Sequence, residues 1–367
     1  MKIGTRTFDT AKARWTGVGP YFAMFPAEFC DHVVRKYTRQ GDLVLDPFAG
    51  RGTAVFSAAS NNRRAIGIEL NPVGWLYGKT KLHPAPEKRI VQRLLDLGTR
   101  SEDYIDHSRN LPKFFFRCFH KNVRTFLLAA RNELDWEHDF ADRTLMAFIL
   151  INLHGKRHDS LSNQMRQTKA MAPKYALRWW AERGLRPPKI DPIQYILKKI
   201  RWRYAKGAPT YGDSDFVLGD SSEILPDVKD KAPWNGAALL FTSPPYFGIT
   251  NYHYDQWLRL WMLGGAPTDA VISKKYTGKF ANRSEYEQLL NIVFEAAAPR
   301  MSKRSTIYVR TDRRQPTYHL TVAALKAAFP KHHLSRKITP YKTQTQTALF
   351  GHFAPKFGEV DLIMTRS

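Results

Sequence analysis

Residues 42–72 read DLVLDPFAGRGTAVFSAASNNRRAIGIELNP, and the order of patterns within them decides the fold. DLVLD (42–46) and RAIGIEL (64–70) are short apolar runs bounded by turn residues, the signature of buried strands. TAVFSAASNN (53–62), between them, is rich in Ala and reads as a helix. Strand, helix and strand in so short a stretch form a βαβ unit, whose crossover makes the two strands parallel. The turn from the first strand into the helix is Asp46-Pro47-Phe48-Ala49-Gly50-Arg51-Gly52-Thr53.

Outward from this unit the pattern breaks off and then resumes. Residues 75–212 hold few strand-like runs. NVRTFLLAARNEL (122–134) and RTLMAFILINLHG (143–155) are apolar at helical spacing. PKYALRWWAERG (173–184) is a further helix, closed by Gly184 ahead of Pro187 and Pro188. Strand signals return at DFVLGD (215–220), AALLFTSPP (237–245), STIYVR (305–310), HLSRKI (333–338) and EVDLIM (359–364). The last two are close enough to pair antiparallel. The expected architecture is an α/β, Rossmann-like sheet, mostly parallel with an antiparallel C-terminal hairpin. A helical insertion of roughly 140 residues, about one ordinary domain, splits it. The division is residues 1–78 and 213–367 for the sheet domain and 79–212 for the insertion.

The chain has 367 residues, 43 % of them hydrophobic, enough for a sizeable core. No apolar run approaches a membrane span, and the first residues lack a signal-peptide stretch. The two cysteines, Cys30 and Cys118, exclude a disulfide framework or a Cys-rich zinc site. The twelve histidines show no metal-ligand spacing, so no metal is expected. A cytoplasmic, nucleoid-associated location is the expectation. The net charge of +24 points to a polyanionic partner, nucleic acid first. That charge is concentrated. Residues 154–206 carry a net +11 and residues 300–343 a net +10, which suggests two walls of a phosphate-binding cleft.

The loop after the first strand is built for a ligand. Gly50 and Gly52 permit unusual dihedrals and close approach, and the following helix offers N–H groups and a positive dipole end. Glu69 closes the second strand 23 residues after Asp46, near the spacing of the acid that holds ribose hydroxyls in doubly wound folds. The loop is neither a P-loop nor a complete GxGxxG. Asp46 would repel a pyrophosphate. A ligand with a ribose, a carboxylate and a cationic amine suits it better, and S-adenosylmethionine has all three. The second loop, Thr242-Ser243-Pro244-Pro245-Tyr246, follows an apolar strand. Its prolines lack N–H donors and stiffen the backbone. Ser243 Oγ and the Pro244 carbonyl can accept from a ring amine, and Tyr246 offers a flat face.

Together the two loops resemble the amino-methyltransferases of DNA, in which a DPFxGxGT-like loop binds S-adenosylmethionine and an (S/D/N)PP(Y/F) loop holds the target amine. Here these are DPFAGRGT (46–53) and SPPY (243–246). The resemblance covers residues 20–78 and 213–310 and implies a Rossmann-like methyltransferase sheet. It implies Asp46, Pro47, Phe48, Gly50, Gly52 and Thr53 as cofactor-binding. GIELNP (67–72) adds Glu69, Leu70 and Asn71 at the ribose. FAMFPAEF (22–29) adds Phe25 and Pro26 at the methionine end, and VLGDSSEIL (217–225) adds Asp220 and Ser221 near the adenine. Ser243, Pro244, Pro245 and Tyr246 take the catalytic role.

A serine at the head of SPPY implies N4-methylation of cytosine in double-stranded DNA, with the base flipped from the stack. The alternatives are N6-adenine methylation on the same scaffold, an RNA methyltransferase, and a DNA-binding protein without activity. A cognate restriction endonuclease is a partner the family suggests. The insertion departs from the family's usual position for target recognition, so its base-reading residues cannot be mapped from relatives. From its composition, LSNQMRQTKAMAPKYALRWW (161–180) is the expected DNA reader, with Asn163, Gln164, Arg166, Lys169, Lys174 and Arg178. Arg310, Arg313 and Arg314 are further candidates to hold phosphate. Tyr254, Trp257, Leu258 and Trp261 lie on one helix face and read as core, with Tyr252 or His253 near the target as the lesser reading.

Overall fold

The computed structural model describes residues 8–20, 25–228, 234–248, 252–270, 282–339 and 358–366. Seven strands form one sheet. They are β1 (Leu43–Asp46), β2 (Arg64–Glu69), β3 (Asp215–Leu218), β4 (Ala237–Thr242), β5 (Met301–Asp312), β6 (His332–Thr339) and β7 (Glu359–Arg366). Their order is β3-β2-β1-β4-β5-β7-β6. The first five are parallel, and β7 runs antiparallel between β5 and β6. The Rossmann-like sheet with its antiparallel C-terminal pair is therefore present. Strand order reverses at β1, which has β2 on one side and β4 on the other. In open α/β sheets that reversal opens a crevice beyond the strand carboxyl ends.

β1 is buried along its whole length, and its side chains alternate between two cores. Leu43 and Leu45 join Ile66, Ile68, Leu240 and Ile307 on one face. The helices Arg283–Ala297 and Thr317–Ala328 cover that face. Val44 joins Phe241 and Tyr308 on the other.

The insertion packs against the second face. Between β2 and β3 the described residues are helices and loops, with no strand. The helix Phe140–Asn152 is buried over nearly all its residues, because its apolar side chains surround its axis. It starts cleanly, since Asp139 accepts hydrogen bonds from the N–H groups of Ala141 and Asp142. Leu94, Phe126, Leu145, Ile149 and Trp180 of the insertion belong to the same hydrophobic cluster as Val44 and Ala54 of the βαβ unit. The helix Pro72–Leu82 runs straight through the expected division at 78/79. The insertion is thus the cover of one sheet face.

Three glycines make room for one ring. A Cβ on Gly52, Gly67 or Gly78 would fall 2.6–2.7 Å from the ring of Phe216 on β3. Gly52 is thus required by packing as well as by its left-handed φ of 70°. Gly78 lies inside a helix, where alanine would ordinarily stabilise by about 1 kcal/mol. Overpacking of this kind costs about 1–3 kcal/mol. Gly78→Ala is therefore expected to lower the urea midpoint. A raised midpoint would show that the ring can yield.

Candidate active site

The turn from β1 into the helix Thr53–Ser60 is held by side chains from neighbouring strands. Asp46 Oδ1 accepts from Thr242 Oγ1 at 2.6 Å and from the Phe48 N–H at 3.2 Å. The Phe48 N–H also lies 3.2 Å from Thr242 Oγ1. Glu69 Oε2 accepts from the Gly50 N–H at 2.7 Å, and its Oε1 accepts from the Asn71 N–H at 2.8 Å. Ser221 Oγ donates to the Pro47 carbonyl. Gly50 and Gly52 both have positive φ, 55° and 70°, which a side chain would strain. Asp46, Pro47, Phe48, Gly50, Glu69, Asn71 and Ser221 are thereby brought together. Asp220, beside Ser221, caps the helix Ser221–Asp227 by accepting from the Ser222 N–H at 2.8 Å. The Thr53 hydroxyl accepts from Arg51 Nε at 3.2 Å.

Two buried carboxylates set the electrostatics. Burial raises Asp46 to about 7, opposed by its hydrogen bonds from Thr242 and Phe48. Burial raises Glu69 to about 8, opposed by the Asn71 and Gly50 N–H groups and reinforced by the charge of Asp46. These hydrogen-bond donors are neutral, so a cationic ligand nearby would favour both ionised forms. Asn71 Nδ2 is buried without a partner among the described residues, although its Oδ1 caps the helix Pro72–Leu82. A buried donor in that condition calls for an acceptor.

The second loop follows β4 directly. Pro244 and Pro245 are buried, while Ser243 and Tyr246 are half-buried. The Tyr246 hydroxyl donates to Glu359 Oε1 at 3.1 Å, and Thr317 Oγ1 accepts from the Phe247 N–H at 3.2 Å. Burial, with the Glu359 charge, pushes the Tyr246 hydroxyl well above its usual range. Thr242, the last residue of β4, joins this loop to the first one through Asp46. Sequence reasoning passed over it, yet a hydroxyl closing an otherwise apolar strand is a signal, because it must find a partner when buried. Phe25 stacks on Phe241 of the same strand, with ring centroids 5.0 Å apart. Pro26 stands exposed at the start of the helix Ala27–Tyr37, and Leu70 is half-buried beside Glu69. Residues 22–24 lie outside the described residues, as do the side chains of Tyr252 and His253.

The basic candidates divide. Arg310 is not available to phosphate, which corrects the expectation. Its Nε and a terminal nitrogen bind both oxygens of Asp361 at 2.6 and 3.0 Å, and its guanidinium lies 3.7 Å from the Phe29 ring centroid. Facing a carboxylate on the adjacent antiparallel strand, it is a core ion pair. Arg314 folds back onto Asp312 of its own turn, while Arg313 is exposed. Asn163, expected to read bases, is fully buried. Its amide donates to the carbonyls of Arg117 and Leu185. Gln164 Oε1 accepts from the Arg157 N–H. Arg166, Lys174 and Arg178 are exposed, and Lys169 pairs with Asp255 at 2.7 Å. Trp257, Leu258 and Trp261 are buried in the core.

The raised acids tie stability to pH. A carboxyl protonated more readily when folded makes the unfolded chain the poorer proton binder, so stability falls as pH rises between the two pKa values. For Asp46 that window runs from 3.8 to about 7. Asp46→Asn keeps the Oδ1 acceptor and removes the titration. Urea midpoints from pH 4 to 8 are expected to fall more steeply for the native chain than for this variant. Parallel curves would remove Asp46 from the account.

Residues 5–73 match the family model described as DNA methylase. The type II methyltransferase M.MjaII of Methanocaldococcus jannaschii is 26 % identical over 95 residues, which is 26 % of this chain and 17 % of that protein. The type II methyltransferase M.XycI of Xanthomonas campestris pv. cyanopsidis is 44 % identical over 54 residues, 15 % of this chain and 18 % of that one. The orphan methyltransferase M.BamHII of Bacillus amyloliquefaciens is 41 % identical over 49 residues, 13 % of this chain and 18 % of its own. The matched part is thus less than a fifth of the length of each of these relatives. The family match spans DPFAGRGT and Glu69, so over that segment the chain is similar to the N6/N4 DNA methylases.

Proposed function

We propose that this protein is a site-specific DNA methyltransferase, transferring a methyl group from S-adenosylmethionine to the exocyclic N4 amine of a cytosine turned out of duplex DNA. The observation that carries this reading is the hydrogen bond from Thr242 to Asp46, which sets the Gly50 loop beside the Ser243 loop at the carboxyl ends of adjacent parallel strands. The similarity to type II and orphan methyltransferases supports it.

The residues present fit the cofactor. Asp46 and Glu69 are buried acids with neutral hydrogen-bond partners, suited to a ligand carrying a sulfonium and an ammonium. The unpartnered Asn71 amide suits an oxygen acceptor. When bound, S-adenosylmethionine supplies an electrophilic methyl group. The chain's task is then to present the amine. An exocyclic amine is a poor nucleophile because its lone pair is delocalised into the ring. Acceptance of its two N–H groups by Ser243 Oγ and the Pro244 carbonyl would favour the pyramidal form and raise lone-pair density on nitrogen. Much of the rate would come from orientation and from acceptors fixed in advance by two rigid prolines. The same site takes the N6 amine of adenine, and Ser243 at the head of the loop is what favours cytosine. Arg166, Lys174, Arg178 and Arg313 are the exposed cations proposed to meet the phosphates. A cognate restriction endonuclease is the partner the type II relatives suggest. Among the described residues no helix is long and apolar enough to cross a membrane, and no group of His, Cys, Asp or Glu is arranged to hold a metal.

Unmethylated plasmid incubated with the protein and methyl-labelled S-adenosylmethionine is expected to yield labelled N4-methylcytosine on nucleoside mass spectrometry. Label in N6-methyladenine would keep the reaction and discard the base. No label in any DNA, with cofactor binding intact, would overturn the reading. Ser243→Ala is expected to cut methyl transfer roughly 100- to 1,000-fold, by analogy with the loss of one positioned polar group, while calorimetry shows unchanged cofactor affinity. Glu69→Ala should do the reverse and weaken cofactor binding. Equal loss of both properties in Ser243→Ala would remove its assigned role.

A further inference from the structure

A cavity of about 780 Å³ lies between the insertion and the helix Tyr252–Met262. That volume is in the range of small-ligand sites. Tyr175, Trp179 and Tyr254 contribute rings to its lining, and Lys156, Arg166 and Lys169 contribute cations. Tyr175 is 49 % exposed, with the Arg178 guanidinium 5.9 Å from its ring centre. Lys169 Nζ lies 4.7 Å from the centre of the Tyr254 ring, and the Arg183 guanidinium 4.5 Å from that of Trp179.

The wall formed by residues 164–172 is secured from behind. Arg259, fully buried, donates to the Gln167 carbonyl at 2.6 Å, and Gln256 donates to the Thr168 carbonyl at 3.3 Å. Trp257 Nε1 donates to the Met171 carbonyl at 3.2 Å, and the Ala170 N–H donates to the Asp255 carbonyl at 3.1 Å. All four partners lie on the helix Tyr252–Met262, the first element after the Ser243 loop. Tyr254 follows Tyr246 by only eight positions, at most roughly 28 Å of chain. The cavity therefore lies within about eight stacked base steps of the target loop.

We propose that this cavity takes an unstacked nucleotide of the DNA strand that carries the target, distinct from the target base itself. The proposal rests on the DNA methyltransferase reading and adds a second contact to it. Rings suit a base, since every base has a face to stack, and cations suit its phosphate. Most of the acids nearby are engaged. Asp159, the one acid among the described residues of the lining, pairs with Lys199 at 2.9 Å, and Asp255 pairs with Lys169, so Lys156 and Arg166 carry the positive charge of the lining. Because the wall is bonded to the helix that continues the target loop, a nucleotide held here fixes the strand relative to Ser243.

The test is fluorescence anisotropy of the full chain with a labelled single-stranded DNA 12-mer at fixed salt. Tyr175→Ala is expected to weaken binding about tenfold, the usual scale for loss of one stacked base. Tyr175→Phe should retain native affinity, and so should Trp179→Phe, which keeps a ring where Trp179 is partly packed. Native affinity in Tyr175→Ala would overturn the proposal. So would an equal loss on a fully paired 12-mer, which would assign the ring to backbone contact. Tighter binding of an RNA 12-mer than of DNA would overturn the choice of DNA. If no DNA is methylated but Tyr175→Ala still weakens 12-mer binding selectively, the reaction fails and the nucleotide pocket stands.

Discussion

Two carboxylates, Asp46 and Glu69, are buried at the ends of adjacent strands, and the local structure is arranged around the need to satisfy them. Burying an acid without hydrogen bonds is costly, and a cation is one common remedy. Here the partners are the Thr242 hydroxyl and the backbone N–H groups of Phe48, Gly50 and Asn71. That choice constrains the chain closely. The N–H of Gly50 reaches Glu69 through a turn with positive φ at Gly50 and Gly52, where a side chain would strain the backbone. Thr242 must end its strand within hydrogen-bond reach of Asp46, and the second loop begins at the next residue.

The same constraint explains the site's electrostatic character. Burial leaves both acids reluctant to ionise, their neutral donors oppose this only in part, and the charge of Asp46 raises Glu69 further. Such a pair is poised for a cationic ligand, because the arriving charge stabilises both carboxylates at once. The chemistry follows from what the fold withholds as much as from what it supplies.

The insertion shows how a long excursion can become the cover of a sheet face. Its buried helices close one face of the sheet through the cluster containing Leu145, Ile149 and Trp180. Its segment 164–172 takes its hydrogen bonds from Gln256, Trp257 and Arg259, a chain distance of about 90 residues away. Residues that look like nucleic-acid readers divide accordingly. Those whose polar groups meet backbone, such as Asn163, hold the segment in shape, and those that project, such as Arg166 and Tyr175, remain at the surface.

The sequence by itself determined the strands, the parallel sense of β1 and β2 and the place of the glycine loop. Those features rest on local periodicity and turn chemistry within a few residues of one another. It also marked Asp46, Glu69 and Ser243 by position at strand ends. Only the tertiary structure decided that Thr242 joins the two loops, that Gly52, Gly67 and Gly78 together make a slot for Phe216, and that Arg310 faces Asp361 inside the sheet. Each of these contacts links residues far apart in sequence. A local pattern can show that a hydroxyl, a glycine or an arginine is present, but its partner is fixed by strand order and register, which exist only once the chain has folded.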